Sequence, residues 1–245
     1  MSDQPVKETL VLLPGMMCTW QLFEPQIKAF ENEYNVVVPE LSAPSIVEMA
    51  QAVLQTVETP QFNLAGLSMG GIVAMQVCDL APERVSRLAL LDTNHHADLR
   101  ERFAVRNRQI ADVKSGQLRA VIVEEMKPIY LAAENQRNQL LLDLLIQMAV
   151  DVGPATFINQ SIALRDRLDQ TSSIKSWKRP TLVLCGTEDR LCPPERHQEM
   201  AELIHGSILE ILPGAGHITT LEQPQLTTDA LRNWLRSAGE QRKRA

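Results

Sequence analysis

Apolar and polar residues follow two rhythms along this chain, and the switches between them outline the fold. Continuous apolar runs occur at Thr9–Leu13, Asn35–Pro39, Phe62–Leu67, Val85–Asp92, Pro180–Gly186 and Ser207–Leu212. Short runs of this kind, bounded by turn-forming residues, read as strands buried on both faces. Between them the apolar spacing lengthens to the three-and-four step of a helix at Trp20–Phe30, Ser45–Glu58, Ile72–Leu80, Pro194–Ile204 and Gln225–Leu235. Ser45 with Glu48 three residues later is a capping box, and Thr59-Pro60 closes the helix it opens. Strands alternating with helices predict an α/β fold with a mostly parallel sheet covered on both faces.

From Asn94 to Trp177 the alternation stops. Arg100–Val113, Gly116–Tyr130, Asn135–Val150 and Pro154–Asp169 each read as a helix, with no strand between them and no shared repeat. The expected organisation is a core made of residues 1–94 and 178–245, interrupted by a helical insertion at 95–177.

The third strand runs straight into a helix through Gly66-Leu67-Ser68-Met69-Gly70. A serine pinned there sits on a turn whose flanking glycines remove side chains that would collide with nearby backbone. Its hydroxyl is pushed above the sheet, where the first N–H groups of the helix can hold negative charge. A serine nucleophile needs a base, and the base needs a carboxylate to fix its tautomer. Asp189 lies just past the strand ending at Gly186, and His217 just past the last strand in Gly214-Ala215-Gly216-His217. All three therefore fall on the carboxyl edge of a parallel sheet, where the crevice opens. The same geometry proposes the N–H groups of Met16 and Met69 as oxyanion donors.

These features together resemble the α/β-hydrolase superfamily, in particular its small bacterial esterase-like members. The resemblance covers nearly the whole chain and rests on Leu13-Pro14-Gly15-Met16, Gly66-Leu67-Ser68-Met69-Gly70-Gly71, Gly186-Thr187-Glu188-Asp189 with Pro193 downstream, and Gly214-Ala215-Gly216-His217. It implies Ser68 as nucleophile, Asp189 as acid, His217 as base and a helical lid at about 95–177. Two departures stand out. The family usually has His-Gly where this chain has Pro14-Gly15, and its Asp-x-x-Gly-x-Gly loop is replaced by the shorter Pro39-Glu40-Leu41-Ser42-Ala43-Pro44. The chain also opens on what would be the family's third strand, which predicts about six core strands.

Composition narrows the field further. At 245 residues with 44% hydrophobic and 22% charged residues, the chain suits one large globular unit. A net charge of −6 argues against a nucleic-acid partner. The apolar run Leu140–Val150 is too short to cross a bilayer, so no membrane partner is expected. Met1–Glu8 carries no export signal, and Cys18, Cys78, Cys185 and Cys192 are irregularly spaced, which together read as a cytoplasmic protein with reduced thiols. No pair of histidines has ligand spacing with a carboxylate, so no metal is expected, and no cofactor.

The expected activity is cleavage of a small carboxylic ester or thioester through an acyl-enzyme on Ser68, with a small-molecule substrate and homodimerisation left open. C–C bond hydrolysis, lactone hydrolysis or acyl transfer by the same residues is the alternative, and a non-catalytic ligand-binding protein ranks below it. Met16, Met17 and Met69 would line an apolar pocket, and His95 could reach a substrate from the insertion. Asp92 also ends a strand and is the second candidate for the acid. His96 could reach a substrate likewise, although a polar hinge between sheet and lid is the plainer reading of both His95 and His96, and His197 and His205 read as surface residues. Arg100, Arg102, Arg106 and Arg108 could reach a substrate carboxylate, although a solvated face paired with Glu101 and Asp112 is the plainer reading.

Overall fold

The computed structural model describes residues 7–242. Six strands, β1 (Thr9–Leu13), β2 (Asn35–Val37), β3 (Phe62–Leu67), β4 (Val85–Leu91), β5 (Thr181–Gly186) and β6 (Ile208–Leu212), form one sheet in the order β2-β1-β3-β4-β5-β6. Every neighbouring pair is parallel. β1, β3 and β5 are buried at every residue, whereas the edge strand β6 alternates with exposed positions. That difference follows from position: an inner strand is covered on both faces and stays apolar throughout, and an edge strand is covered less completely.

The helices are α1 (Glu24–Phe30), α2 (Ile46–Thr56), α3 (Met69–Leu80), α4 (Arg100–Lys114), α5 (Leu118–Ala120), α6 (Gln139–Arg165), α7 (Thr171–Ser176), α8 (Pro194–Leu203), α9 (Thr219–Glu222) and α10 (Pro224–Arg242). α2 packs on α3, α3 on α7 and α7 on α8, while α1 packs on α9 and α10 as a separate layer. Half of the expected capping box forms: the Glu48 N–H donates to Ser45 Oγ at 3.1 Å, while the Glu48 carboxylate accepts from the Ser45 hydroxyl at 3.0 Å and not from its backbone N–H.

The segment between β4 and β5 is helical, but its divisions differ from those the sequence suggested. Asn135–Val150 and Pro154–Asp169 merge into the single helix α6, kinked at Gly153, whose φ of 82° suits glycine. Pro154 opens the second half, where a missing N–H costs least. Gly116–Tyr130 is not one helix: α5 passes into a π-helix at Val121–Met126 and a 3-10 turn at Lys127–Ile129. The apolar run at Leu140–Val150 thus belongs to a helix of 27 residues, long and apolar enough to suit a bilayer. Its kink interrupts it, and Leu145, Met148, Ala149 and Phe157 are buried in the protein's own core. All four cysteines are free and buried.

Register brings the chemistry to one edge. Leu13 pairs with Gly66, Leu67 with Leu91, Leu91 with Leu184, and Gly186 with Leu212. The loops leaving β1, β3, β4, β5 and β6 therefore emerge side by side. A Cβ on Gly70 would lie 2.0 Å from the Leu13 carbonyl oxygen, so only glycine lets α3 begin this close to the β1 loop. Gly70→Ala is expected to destabilise the fold by roughly 3 kcal/mol or more, as overpacking against rigid backbone does. Chemical denaturation would read it, and an unchanged midpoint would contradict the close contact.

Candidate active site

Ser68 sits at the strand-to-helix turn with φ 56° and ψ −118°, a conformation that L side chains rarely adopt. The turn is held by the Ser68 N–H donating to Leu91 O at 2.9 Å and by the Thr93 hydroxyl donating to Ser68 O at 2.7 Å. His217 Nε2 lies 2.8 Å from Ser68 Oγ, and its Nδ1 lies 2.8 Å from Asp189 Oδ2. The other oxygen of Asp189 accepts from the N–H groups of Leu191 at 2.8 Å and Cys192 at 2.9 Å. Three side chains distant in sequence thus form one continuous hydrogen-bonded line.

The loops carrying Asp189 and His217 meet because Gly186 has no side chain: a Cβ there would stand 2.1 Å from the Ala215 carbonyl oxygen. Glu188 N–H donates to that same carbonyl at 2.9 Å. The histidine loop is also braced from the helical segment. The His217 N–H donates to Tyr130 O at 2.7 Å, and the Tyr130 ring stands edge-on to the imidazole at 5.5 Å. The Glu222 carboxylate accepts from Gly216 N–H at 2.9 Å and from Ala132 N–H at 3.0 Å. Apart from the Gly216–Glu222 bond, six residues apart, these braces join segments far apart along the chain and leave no sequence signature.

Electrostatics follow from burial and pairing. Burial by itself would lower the pKa of His217, but the charge and hydrogen bond of Asp189 outweigh it and hold it above the ordinary histidine value. Burial likewise works to raise Asp189, yet the histidine and the Cys192 N–H bring its carboxyl below the usual range. Asp92 is not bonded to His217. Its carboxylate accepts from Gly186 N–H at 3.3 Å, from Thr219 N–H at 3.1 Å and from Thr219 Oγ1 at 2.6 Å, fastening β4 to the loops of the other two strands. Burial, with Asp189 nearby, pushes its pKa well up.

Gly15 packs against the serine, its Cα hydrogens facing Ser68 Cβ. The N–H groups of Met16 and Met69 have no acceptor among the described residues, leaving two donors unspent beside Ser68. Met17 holds the loop in shape: its φ is 56°, and its N–H donates to Gln160 Oε1 at 2.9 Å. Gln160, on α6 and buried, donates in turn to Leu41 O at 2.7 Å. Gln160→Leu leaves a buried N–H and a buried carbonyl without partners and frees the loop. It should lower kcat by roughly ten- to a hundredfold, less than outright loss of an oxyanion donor. Steady-state kinetics beside circular dichroism would check it; an unchanged kcat would separate Gln160 from the site.

A cavity of about 250 Å³ opens at Ser68 and His217, lined also by Met16, Met69, Tyr130 and three arginines. Met17 and His95 do not line it. The Met17 side chain turns into the core and is fully buried, with a positive φ at Met17 itself. His95 is fully buried beside His96, ring centroids 4.0 Å apart, and neither ring nitrogen of His95 is hydrogen-bonded among the described residues. His96 bonds to Asp169 and Glu199, both at 3.1 Å. His95, His96 and Glu199 thus form one group that could present three metal ligands, and Asp189, Cys192 and His217 form another. In the second, Asp189 and His217 are already bonded to each other.

His197 is a buried residue, not a surface one. Its Nε2 accepts from Thr93 N–H at 3.0 Å, and burial lowers its pKa to about 4, so it stays neutral. Arg108 pairs with Asp112, as an exposed helix face would, but Arg106 is buried against Asp98.

The chain matches the alpha/beta hydrolase family over residues 10–230 and belongs to it. A thermophilic esterase from Thermogutta terrifontis, solved with malate bound, superposes with a TM-score of 0.89 at 28% identity, covering 94% of this chain and 90% of that one. The enol-lactonase from Burkholderia xenovorans LB400 shares the fold at a TM-score of 0.86 and 20% identity, covering 96% and 94%. The (E)-2-((N-methylformamido)methylene)succinate hydrolase of Acinetobacter baylyi is 26% identical over 255 residues, 95% of this chain and 92% of the relative. With hydrolases among both its sequence and its structural relatives, the chain is an α/β-hydrolase enzyme.

Proposed function

We propose that this enzyme cleaves a small carboxylic ester or thioester through an acyl-enzyme on Ser68. The observation that carries the reading is the unbroken line from Ser68 Oγ to His217 Nε2 and from His217 Nδ1 to Asp189 Oδ2, each gap 2.8 Å. In this mechanism His217 takes the hydroxyl proton as Ser68 attacks the carbonyl, and Asp189 keeps the Nδ1 proton in place. The oxyanion that forms draws on the N–H groups of Met16 and Met69. His217 then gives its proton to the leaving alcohol or thiol, and water releases the acyl group by the same steps. The segment 95–177 acts as a lid that walls the cavity and braces both the oxyanion loop and the histidine loop. The esterase name of the Thermogutta terrifontis structure agrees with this choice of bond.

A fluorophosphonate probe tests the nucleophile. It should label the wild-type protein and leave Ser68→Ala unlabelled; equal labelling of both would remove Ser68 from the mechanism.

A further inference from the structure

The cavity at Ser68 carries more positive charge than attack on a carbonyl needs. Arg102, Arg106 and Arg167 line it, and Glu125 is the one acidic residue among its lining residues. Glu125 is already paired, accepting from Arg108, which lies off the cavity, at 2.9 Å and from Gln109 at 3.0 Å. Behind the wall a single carboxylate, Asp98, with 1% side-chain exposure, receives Nε of Arg106 and stands 3.4 Å from Nη1 of Arg167. Arg167 is fixed further by donating to the carbonyls of His96 at 2.8 Å and Leu164 at 3.2 Å. Two guanidiniums thus share one buried carboxylate, and Arg102 has no carboxylate partner among the described residues. The terminal nitrogens of Arg106 and Nη2 of Arg167 make no hydrogen bond among those residues.

Held guanidiniums with free donor edges are preorganised for a planar oxyanion, because the fork of N–H groups matches a carboxylate in two parallel bonds. Uncompensated positive charge in a partly buried wall is costly, and an arriving anion relieves it. The wall also carries apolar side chains, Met16, Met69, Ile72, Ile129, Leu164 and Leu191, beside the uncharged Thr93, Asn94 and Gln109. We propose that Arg102, Arg106 and Arg167 form a carboxylate-binding subsite, and that the substrates are short-chain esters or thioesters carrying a free carboxylate. The substrate assignment rests on Ser68 acting as the nucleophile; the subsite itself does not.

Binding and turnover separate the two. Calorimetry on Ser68→Ala would compare monomethyl glutarate with dimethyl glutarate and with methyl 4-phosphonobutanoate. The monoacid should bind at least about tenfold more tightly than the diester, the effect of one charge-assisted contact pair. Arg102→Gln and Arg167→Gln, each added to Ser68→Ala, should cut that ratio by about tenfold, and Arg100→Gln, off the cavity, should leave it alone. Equal binding of acid and diester, or a ratio that neither arginine substitution moves, overturns the subsite. Tighter binding of the phosphonate than of the monoacid overturns its assignment to carboxylates. In the wild type, turnover of the monoacid should exceed that of the diester in kcat/KM. Tight monoacid binding with no turnover of any ester would uphold the subsite and reject the esterase reading.

Discussion

Ser68→Ala and His217→Ala should each lower ester turnover by about five to six powers of ten, and the double variant should be no slower than either alone. The reason is that in the proposed mechanism attack and proton transfer are a single event across the 2.8 Å gap between Oγ and Nε2. Once either partner is gone, the other has nothing to act on. A residual rate of about a thousandfold over water should survive, supplied by the Met16 and Met69 donors and the cavity, which neither substitution touches. Single-turnover kinetics on the three variants measure it. Losses that multiply in the double variant would mean that the two residues act independently and that the hydrogen-bonded line is not the catalytic unit.

Asp189→Asn should cost about four powers of ten in kcat while leaving the fold intact. The geometry gives the reason. One carboxylate oxygen already accepts from the Leu191 and Cys192 N–H groups, so the amide oxygen of an asparagine would stay there. Its NH2 would then face His217 Nδ1, which would have to become an acceptor. The proton would move to Nε2, and the imidazole would present a donor to Ser68 where a base is needed.

The same substitution makes a prediction about pH. In the proposed mechanism the active form is the neutral imidazole, so activity should fall as pH drops through the pKa of His217, which Asp189 holds above its ordinary value. Without the carboxylate, burial is left largely unopposed and lowers that pKa. The acid limb of the kcat/KM profile should therefore move to lower pH in the variant. A limb that stays in place would show that Asp189 does not set the charge state of His217.

Much of this arrangement was readable from the sequence because it depends on local rules. An inner parallel strand stays apolar along its whole length, so β1, β3, β4 and β5 were visible as continuous runs. Ser68 and Asp189 each follow such a run and His217 follows the edge strand β6, and parallel topology places all these exits on one edge. Helix α6 was less legible: Gly153-Pro154 signals a stop in sequence, yet a positive-φ glycine followed by a first-turn proline can bend a helix and let it resume. In Gly116–Tyr130 the apolar residues mark burial without distinguishing a π-turn from an α-turn.

The supporting residues were hidden for a different reason. Gln160 touches Met17 across 143 positions, and Glu222 reaches Ala132 across 90, so neither contact leaves a spacing pattern. Arg106 looked like one more charge on an exposed helix because its partner, Asp98, lies just outside that helix. His197 looked exposed because its helix is rich in charge, with Glu195, Arg196, Glu199 and Glu202, yet one side of it still packs against the sheet.

The central claim is a covalent intermediate on one serine. Acid-quenched protein from a reaction with p-nitrophenyl acetate, digested and mapped by mass spectrometry, should carry a single acetyl group on the peptide containing Ser68, and none in Ser68→Ala. An acetyl group found on another residue, with that peptide unmodified while the ester is being turned over, would contradict it.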